Sequence, residues 1–337
     1  MKKICVLGAG SWGTALSVLL AGNGHQVVIW SIDENEVRML QDKREQEAKL
    51  PGVHLPDAII VTNDIEQALL HQEMVVFAVP SPFVRATAKK AAPYIAEQQT
   101  IVNVGKGIEE DTLLTLTQVI KEEIPQAEVA VLSGPSHAEE VGRGIPTTVV
   151  VGARTKTIAN QIQDTFMNGV FRVYTSPDII GIELGGALKN VIALAAGVAD
   201  GLGYGDNTKA ALMTRGIAEL TRLGMAMGGK LETFSGLSGV GDLIVTCTSK
   251  HSRNRNAGYL IGQGMTYQEA MDEVKQVVEG VYSAKAALAL GKKYNVTLPI
   301  IEQVNHVLFD GVSAKEAVPA LLLRNKTSEV NDEDWEG

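Results

Sequence analysis

KKICVLGAGSWGTALSVLLAGNGHQVVIWSID, residues 2–33, reads in order as strand, glycine turn, helix and second strand. Lys2 to Leu7 is a short run rich in β-forming side chains, and Gln26 to Trp30 is another. Between them Gly8-Ala9-Gly10-Ser11-Trp12-Gly13 spells G-x-G-x-x-G. Each glycine has a physical task there: Gly8 permits the tight turn, Gly10 lets backbone approach a pyrophosphate, and Gly13 lets helix pack close to strand. The TALSVLLAG that follows forms a helix stopping at Gly22 and Gly24, and its N-terminus carries free N–H groups able to hold an anion. Asp33 falls about twenty residues beyond Gly13, where an acid accepts the ribose hydroxyls of a bound nucleotide. An ordinary glycine-rich turn can share the motif by accident, but the strand before it and the helix after it point to a dinucleotide site.

The chain has 337 residues, 45% of them hydrophobic, enough for two domains with cores of their own. A formal net charge of -9 disfavours nucleic acid or an anionic membrane as partner. Any anionic ligand must therefore meet a local cluster of Lys and Arg. Cys5, in the first strand, and Cys247, in an apolar run, show no metal-ligand spacing and are expected to be free buried thiols of a reducing compartment; no metal is expected. Lys2 and Lys3 ahead of an apolar stretch have the outline of a secretion signal, but Ser11, Trp12, Gly13 and Thr14 interrupt it. With no run of ~18 uninterrupted apolar residues, a cytoplasmic protein without membrane insertion is expected.

From the N-terminus to about Thr175, apolar runs such as AIIVT, EMVVFAVP, QTIVNVGKG, AEVAVLSGP, TTVVVGA and FRVYT alternate with helical patterns. Such alternation builds βαβ units on a mostly parallel sheet. Beyond Ser176 strand-like runs nearly vanish, and Ala, Leu, Gly and Met dominate long helical segments. The expected fold is thus α/β, with a Rossmann-type doubly wound sheet over residues 1–176, an all-α domain over 177–327, and a frayed acidic tail over 328–337. Between the second and third strands, MLQDKREQEAKLPGVHLPDA (39–58) is expected to be solvated helix and loop, in preference to a flap near a cofactor.

In an open α/β sheet the ligand crevice lies at the carboxyl ends of the strands. Val79-Pro80-Ser81, Gly105-Lys106-Gly107 and Ser133-Gly134-Pro135-Ser136-His137 fall there. Lys106 stands between glycines that clear space for a ligand beside a cation. Lys189 stands in a helix otherwise nearly all small and apolar, with Gly185, Gly186 and Ala193 on its face, a hollow that suits a ligand better than a packed partner. Desolvation would lower its pKa toward neutrality and let it deliver a proton to a carbonyl oxygen; snorkelling to the surface or pairing with Glu183 or Asp200 are the alternatives. Gly239-Val240-Gly241-Asp242 brings a carboxylate in a second glycine-rich turn. In Ser252-Arg253-Asn254-Arg255 an Arg fork with neutral donors suits a phosphate, though a polar loop is as readily a solvated surface. His137 is open to two readings, base or structural hydrogen-bonder.

These residues resemble one family, the bacterial NAD(P)-dependent glycerol-3-phosphate dehydrogenases, through GAGSWGTAL, FAVPS, VGKGIE, LSGPSHAEEV, ELGGALKNVIALAAGVADGL, GLSGVGDLIVTCTSKHSRNRNAG and VVEGV, which run from Gly8 to Gly280. The resemblance implies reversible reduction of dihydroxyacetone phosphate to sn-glycerol 3-phosphate for glycerophospholipid synthesis, by a cytoplasmic enzyme that is commonly a homodimer. It implies that Lys189 is the catalytic proton donor, assisted by Lys106 and Asp242. Lys106, Gly134, Ser136, Lys189, Asp242, Ser252, Arg253 and Asn254 would then hold the substrate. Gly8, Gly10, Ser11, Trp12, Gly13, Asp33, Lys106, Ala138, Arg253, Val277 and Glu279 would line the cofactor.

The chain departs from the family in two places. Where members usually carry an arginine after the second strand, it has Ser31-Ile32-Asp33. A carboxylate accepts a hydrogen bond from a free 2′-hydroxyl and repels a 2′-phosphate, so NAD is expected to be preferred, with NADP possible. The usual N-x-K-Y-L-P is replaced by Gln46-Glu47-Ala48-Lys49-Leu50-Pro51, so that loop's contacts are not carried over. Two competing readings are a dehydrogenase of 2-hydroxy acids or sugar acids, which leaves the SRN cluster beside GVGD unexplained, and a non-catalytic NAD(H) sensor, which leaves Lys189 unexplained.

Overall fold

The computed structural model describes residues 1–326, 328 and 329. Of the acidic tail expected over 328–337, residues 330–337 lie outside the described residues. Eight strands form one sheet: β1 (Lys3–Leu7), β2 (Gln26–Trp30), β3 (Ile60–Thr62), β4 (Met74–Phe77), β5 (Thr100–Asn103), β6 (Glu128–Ser133), β7 (Thr147–Gly152) and β8 (Phe171–Ser176). Their order is β3-β2-β1-β4-β5-β6-β7-β8, parallel throughout except where β6 meets β7. Alternate side chains explain why β1 reads as an unbroken apolar run. Ile4 and Val6 enter the core on one face, Cys5 and Leu7 the core on the other, and a sheet covered on both faces has no polar side to show. Burial also pushes the Cys5 and Cys247 thiols up, which keeps them inert.

The helices of this half are α1 (Ser11–Gly22), α2 (Glu34–Lys43), α3 (Ile65–Leu69), α4 (Val84–Ala91), α5 (Leu116–Glu123), α6 (Ala138–Val141) and α7 (Lys156–Phe166). Strand order reverses at β1, which has β2 on one side and β4 on the other, so a crevice opens at its carboxyl end. The glycine turn fills that corner. Gly8 has φ +113°, and a Cβ there would stand 2.6 Å from the Ala78 carbonyl oxygen at the end of β4. Gly13 lies so close to the Gly8 carbonyl that no side chain fits between, while a Cβ on Gly10 would meet nothing within 4 Å.

Beyond β8 every named element is helical: α8 (Ile179–Gly201), α9 (Asp206–Ala226), α10 (Leu231–Phe234), α11 (Asp242–Thr248), α12 (Arg253–Gly262), α13 (Tyr267–Val274), α14 (Glu279–Lys293), α15 (Pro299–Phe309) and α16 (Ala314–Leu322). Helix α8 is the axis of this half, with α9, α11, α12 and α14 packed around it. It is apolar all round because it is surrounded, which is also why its length and composition would suffice to cross a bilayer; 83% of its most apolar stretch is buried in the protein. Glycines set the α8–α12 distance: a Cβ on Gly197 or Gly201 would strike the backbone of α12, and one on Gly258 or Gly262 the backbone of α8. The two halves are also joined by side chains. Glu183, near the start of α8, accepts a hydrogen bond from Thr117 N at 2.8 Å and another from the Thr117 hydroxyl, in the first turn of α5.

Candidate active site

A cleft of about 1410 Å³ separates the carboxyl edge of the sheet from the helical half. The sheet side is lined by Gly8, Gly10, Ser11, Trp12, Asp33, Lys106, Ser136 and Ala138, the helical side by Lys189, Ser252, Arg253, Asn254, Val277 and Glu279. Gly13, Gly134 and Asp242 stand behind this wall. Sites up to 198 residues apart in sequence are thus drawn together, as in the bond from Ser81 N to Glu279 Oε1 at 2.9 Å.

Three charged groups form the floor. Lys189, in the middle of α8, donates from Nζ to Asp242 Oδ1 at 2.7 Å and to Thr246 Oγ1 at 2.6 Å. Lys106, just past β5, donates to Asp242 Oδ2 at 2.6 Å and to the Gly134 carbonyl at 2.8 Å. One carboxylate therefore bridges two ammonium groups. The side chains of Asp242 and Lys189 are 1% and 6% exposed. Burial pulls the Lys189 pKa down to about 8, against the attraction of Asp242 and with help from the charge on Lys106. Burial alone would raise the Asp242 carboxyl; the two ammonium groups outweigh it and hold it below its ordinary value. An ammonium has three N–H groups, so each lysine spends two on these partners and keeps one. Both side chains line the cleft.

The alternative partners of Lys189 are engaged elsewhere. Glu183 holds Thr117, and Asp200 holds Lys209 at 2.7 Å and Arg255 at 2.6 Å. The hollow face expected beside Lys189 is filled by protein. A Cβ on Gly185 would strike the Ser238 carbonyl, and one on Gly186 would lie 2.9 Å from Ser133 Oγ and 3.4 Å from Lys106 Cγ, so Gly186 makes room for a lysine. The glycines beside Lys106 likewise admit packing. Gly105 faces Leu116 and Val79, and Gly107 faces Ser81 and Glu279.

Ser252-Arg253-Asn254-Arg255 is neither loop nor free surface. Ser252 is the N-cap of α12, its hydroxyl accepting from Arg255 N at 3.2 Å. The buried Asn254 amide donates to Asn190 Oδ1 at 2.9 Å and accepts from Gly280 N at 2.8 Å. Arg253, in the first turn of α12, faces the cleft. Ser136 lines it too, its hydroxyl donating to the Gly134 carbonyl at 2.9 Å. His137 also lines it, with Nε2 buried and unpartnered and with burial and the charge on Lys189 holding its pKa down, which leaves the ring neutral.

At the far end, Asp33 caps α2, its Oδ1 accepting from Asn35 N at 2.9 Å and Glu36 N at 3.4 Å. The 39–58 excursion is solvated along much of its length, as expected, but is also anchored in the fold. Gln46 and Leu50 are fully buried, and Gln46 Nε2 donates to the Ala9 carbonyl in the glycine turn at 2.8 Å. Three residues escaped the sequence reading: Asn190, Thr246 and Glu36. A polar side chain next to Lys189 in an apolar helix, and a hydroxyl four residues after Asp242 on the same helix face, were readable signals for the first two.

The groups present fit a dinucleotide. Gly10 leaves bare backbone at the start of α1 bordering open space, and a carboxylate waits beyond β2. Fold and cleft together define the class, a Rossmann-type nucleotide-binding domain facing a helical domain, as in two-domain dehydrogenases. The model of the NAD-dependent glycerol-3-phosphate dehydrogenase N-terminus matches residues 3–159, and that of its C-terminus residues 178–319. The chain belongs to the NAD-dependent glycerol-3-phosphate dehydrogenase family. It is 63% identical over 335 residues to the glycerol-3-phosphate dehydrogenase [NAD(P)+] of Agathobacter rectalis, covering 99% of this chain and 100% of that one. With the Fusobacterium nucleatum enzyme of the same name it shares 58% over 332 residues, 98% of this chain and 99% of the relative. The crystal structure of a glycerol-3-phosphate dehydrogenase from Coxiella burnetii superposes with a TM-score of 0.93 at 36% identity, over 96% of this chain and 99% of that one. Membership sets aside both the 2-hydroxy-acid dehydrogenase and the non-catalytic sensor.

Proposed function

We propose that the protein reversibly reduces dihydroxyacetone phosphate to sn-glycerol 3-phosphate, prefers NADH, and supplies glycerophospholipid synthesis in the cytoplasm as a homodimer. The observation that carries this reading is the Lys106–Asp242–Lys189 bridge on the floor of the cleft. When bound, the nicotinamide coenzyme supplies the hydride. Lys189, with a pKa near 8 and one N–H to spare, gives its proton to the ketone oxygen. Lys106 faces the same oxygen as a fixed positive charge and favours the developing alkoxide, a task suited to a water-poor site. Asp242 keeps both ammonium groups in place. Arg253 holds the phosphate with its planar fork, while Ser136 and the N-terminal turn of α12 set its position. Ser252 and Asn254 act here by shaping that turn.

Gly8, Gly10, Ser11 and Trp12 would hold the dinucleotide's pyrophosphate, Asp33 would accept from its ribose, and Ala138, Val277 and Glu279 would line the rest of its site. NADH oxidation with dihydroxyacetone phosphate tests the reading, with NADPH and unphosphorylated dihydroxyacetone run beside it. Fast oxidation that requires the phosphate, faster with NADH, is expected. Equal rates with the phosphate-free ketone would remove Arg253 from its role, and Lys189→Ala with turnover within a few-fold of the unaltered chain would remove Lys189 from its own. Sedimentation at micromolar concentration tests the homodimer.

A further inference from the structure

The turn after β2 brings Ser31, Ile32 and Asp33 to the wall of the cleft, and Glu36 follows in the first turn of α2. From the excursion Lys49 reaches back, its Nζ donating to Glu36 Oε1 at 2.6 Å. The same oxygen accepts from Gln46 Nε2 at 2.8 Å, and Oε2 accepts from Ser31 Oγ at 2.6 Å. The Glu36 side chain is 10% exposed, the Lys49 side chain 38%, and both line the cleft. The carboxylate is thus fixed by three neighbours. Among the described residues, Lys49 has no second acceptor for its remaining N–H groups.

We infer that Lys49 is a specificity-determining residue for the coenzyme's ribose, its ammonium deciding how well this end of the cleft accepts a 2′-phosphate and Glu36 deciding how much of that charge is available. The inference rests on the proposed reading of the cleft as a nicotinamide-dinucleotide site. Asp33, Glu36 and Lys49 together carry one net negative charge. A 2′-hydroxyl can donate to either carboxylate and needs no cation, whereas a phosphate carrying about two negative charges is repelled by both acids and drawn only to Lys49. Removing the ammonium leaves two acids unopposed. Neutralising Glu36 halves the acidic charge and releases Lys49 from its partner.

The two changes therefore act in opposite directions, which separates recognition from simple anchoring of the excursion. Dissociation constants of NADH and NADPH are to be measured by calorimetry on the full chain and on Lys49→Met, Lys49→Arg and Glu36→Gln, with a thermal melt of each. Lys49→Met should shift the NADPH-to-NADH affinity ratio against NADPH by about tenfold, the worth of one charge-assisted hydrogen bond, and Glu36→Gln should shift it toward NADPH by a similar factor. Lys49→Arg, which keeps the charge, should hold the ratio within about threefold. Both coenzymes weakening together, or both substitutions moving the ratio the same way, would overturn the inference and leave the pair as a clamp on Gln46 and Ala9. An unaltered chain binding neither coenzyme would overturn the dinucleotide reading itself, and the inference with it.

Discussion

Replacing Asp242 by Asn keeps the shape of the bridge and removes its charge. Coulomb's law for unit charges 2.7 Å apart, the distance from Lys189 Nζ to Asp242 Oδ1, gives about 1.5 kcal/mol in water and about 6 kcal/mol at an effective dielectric of about 20. At 1.36 kcal/mol per pH unit, these limits correspond to about 1 and about 4.5 units of further depression of the Lys189 pKa. Lys106, left nearby without its counter-ion, pushes in the same direction. In the proposed role of proton donor Lys189 must be protonated, so the rate of the unaltered protein should fall as pH rises through about 8. In Asp242→Asn that fall should move toward acid by about 2 units, and turnover at pH 7.5 should drop at least tenfold. The assay is single-turnover reduction of dihydroxyacetone phosphate between pH 5.5 and 9.5, since product release would otherwise mask the proton step. A limb displaced by less than half a unit would refute the claim that Asp242 controls the charge on Lys189, whatever happened to the rate.

Three further changes bear on other parts of the molecule. Arg253→Ala should raise the KM for dihydroxyacetone phosphate by about one to two orders of magnitude while hardly altering turnover of the phosphate-free ketone, and equal loss on both would place Arg253 outside phosphate binding. Gly186→Ala sets a methyl 2.9 Å from Ser133 Oγ and 3.4 Å from Lys106 Cγ; kcat should fall about tenfold with little change in melting temperature, whereas unchanged kcat would mean that Lys106 tolerates displacement. Glu219, 3% exposed, accepts hydrogen bonds from Ile300 N and Ile301 N at the start of α15, and burial pushes its pKa from 4.5 up to about 7. The unfolded chain therefore loses this proton first, and stability should decline as pH rises from 4.5 to 7, by up to about 3 kcal/mol. Urea unfolding at pH 5 and pH 8 should show that decline largely abolished in Glu219→Gln; an unaltered slope would assign it to other groups.

What could be read from the chain was what neighbours in sequence determine. Each β-strand is announced by its own run of β-branched residues, and the glycine turn by spacing alone, because period and backbone freedom are local properties. The N-cap at Ser252 was equally local, since a Ser before a helix accepts an N–H three residues on; treating 252–255 as a polar loop neglected capping chemistry. Other features were illegible for a physical reason. Asp242 lies 53 residues from Lys189, and nothing in either stretch by itself identifies the partner; only the family resemblance associates the two. The glycines around Lys106 and Lys189 suggest space cleared for a ligand, but sequence does not say what fills such space, and its occupant is protein. The excursion is charged and proline-rich, as solvated segments are, and yet Gln46 and Lys49 find partners on α2 and the glycine turn that only the tertiary fold supplies.

Three acids of the helical half find their partners across the divide: Glu183 at Thr117, Glu279 at Ser81, and Asp242 at Lys106. Neither half is therefore a self-contained module. Cleaved from its mate, the helical portion would carry orphaned carboxyl groups on the surface where the nucleotide-binding portion docks, and that portion would lose acceptors for Thr117, Ser81 and Lys106. The pair is interlocked by polar keys, so a hybrid joining this sheet to a foreign helical mate would have to reproduce all three before its cleft could close on anything.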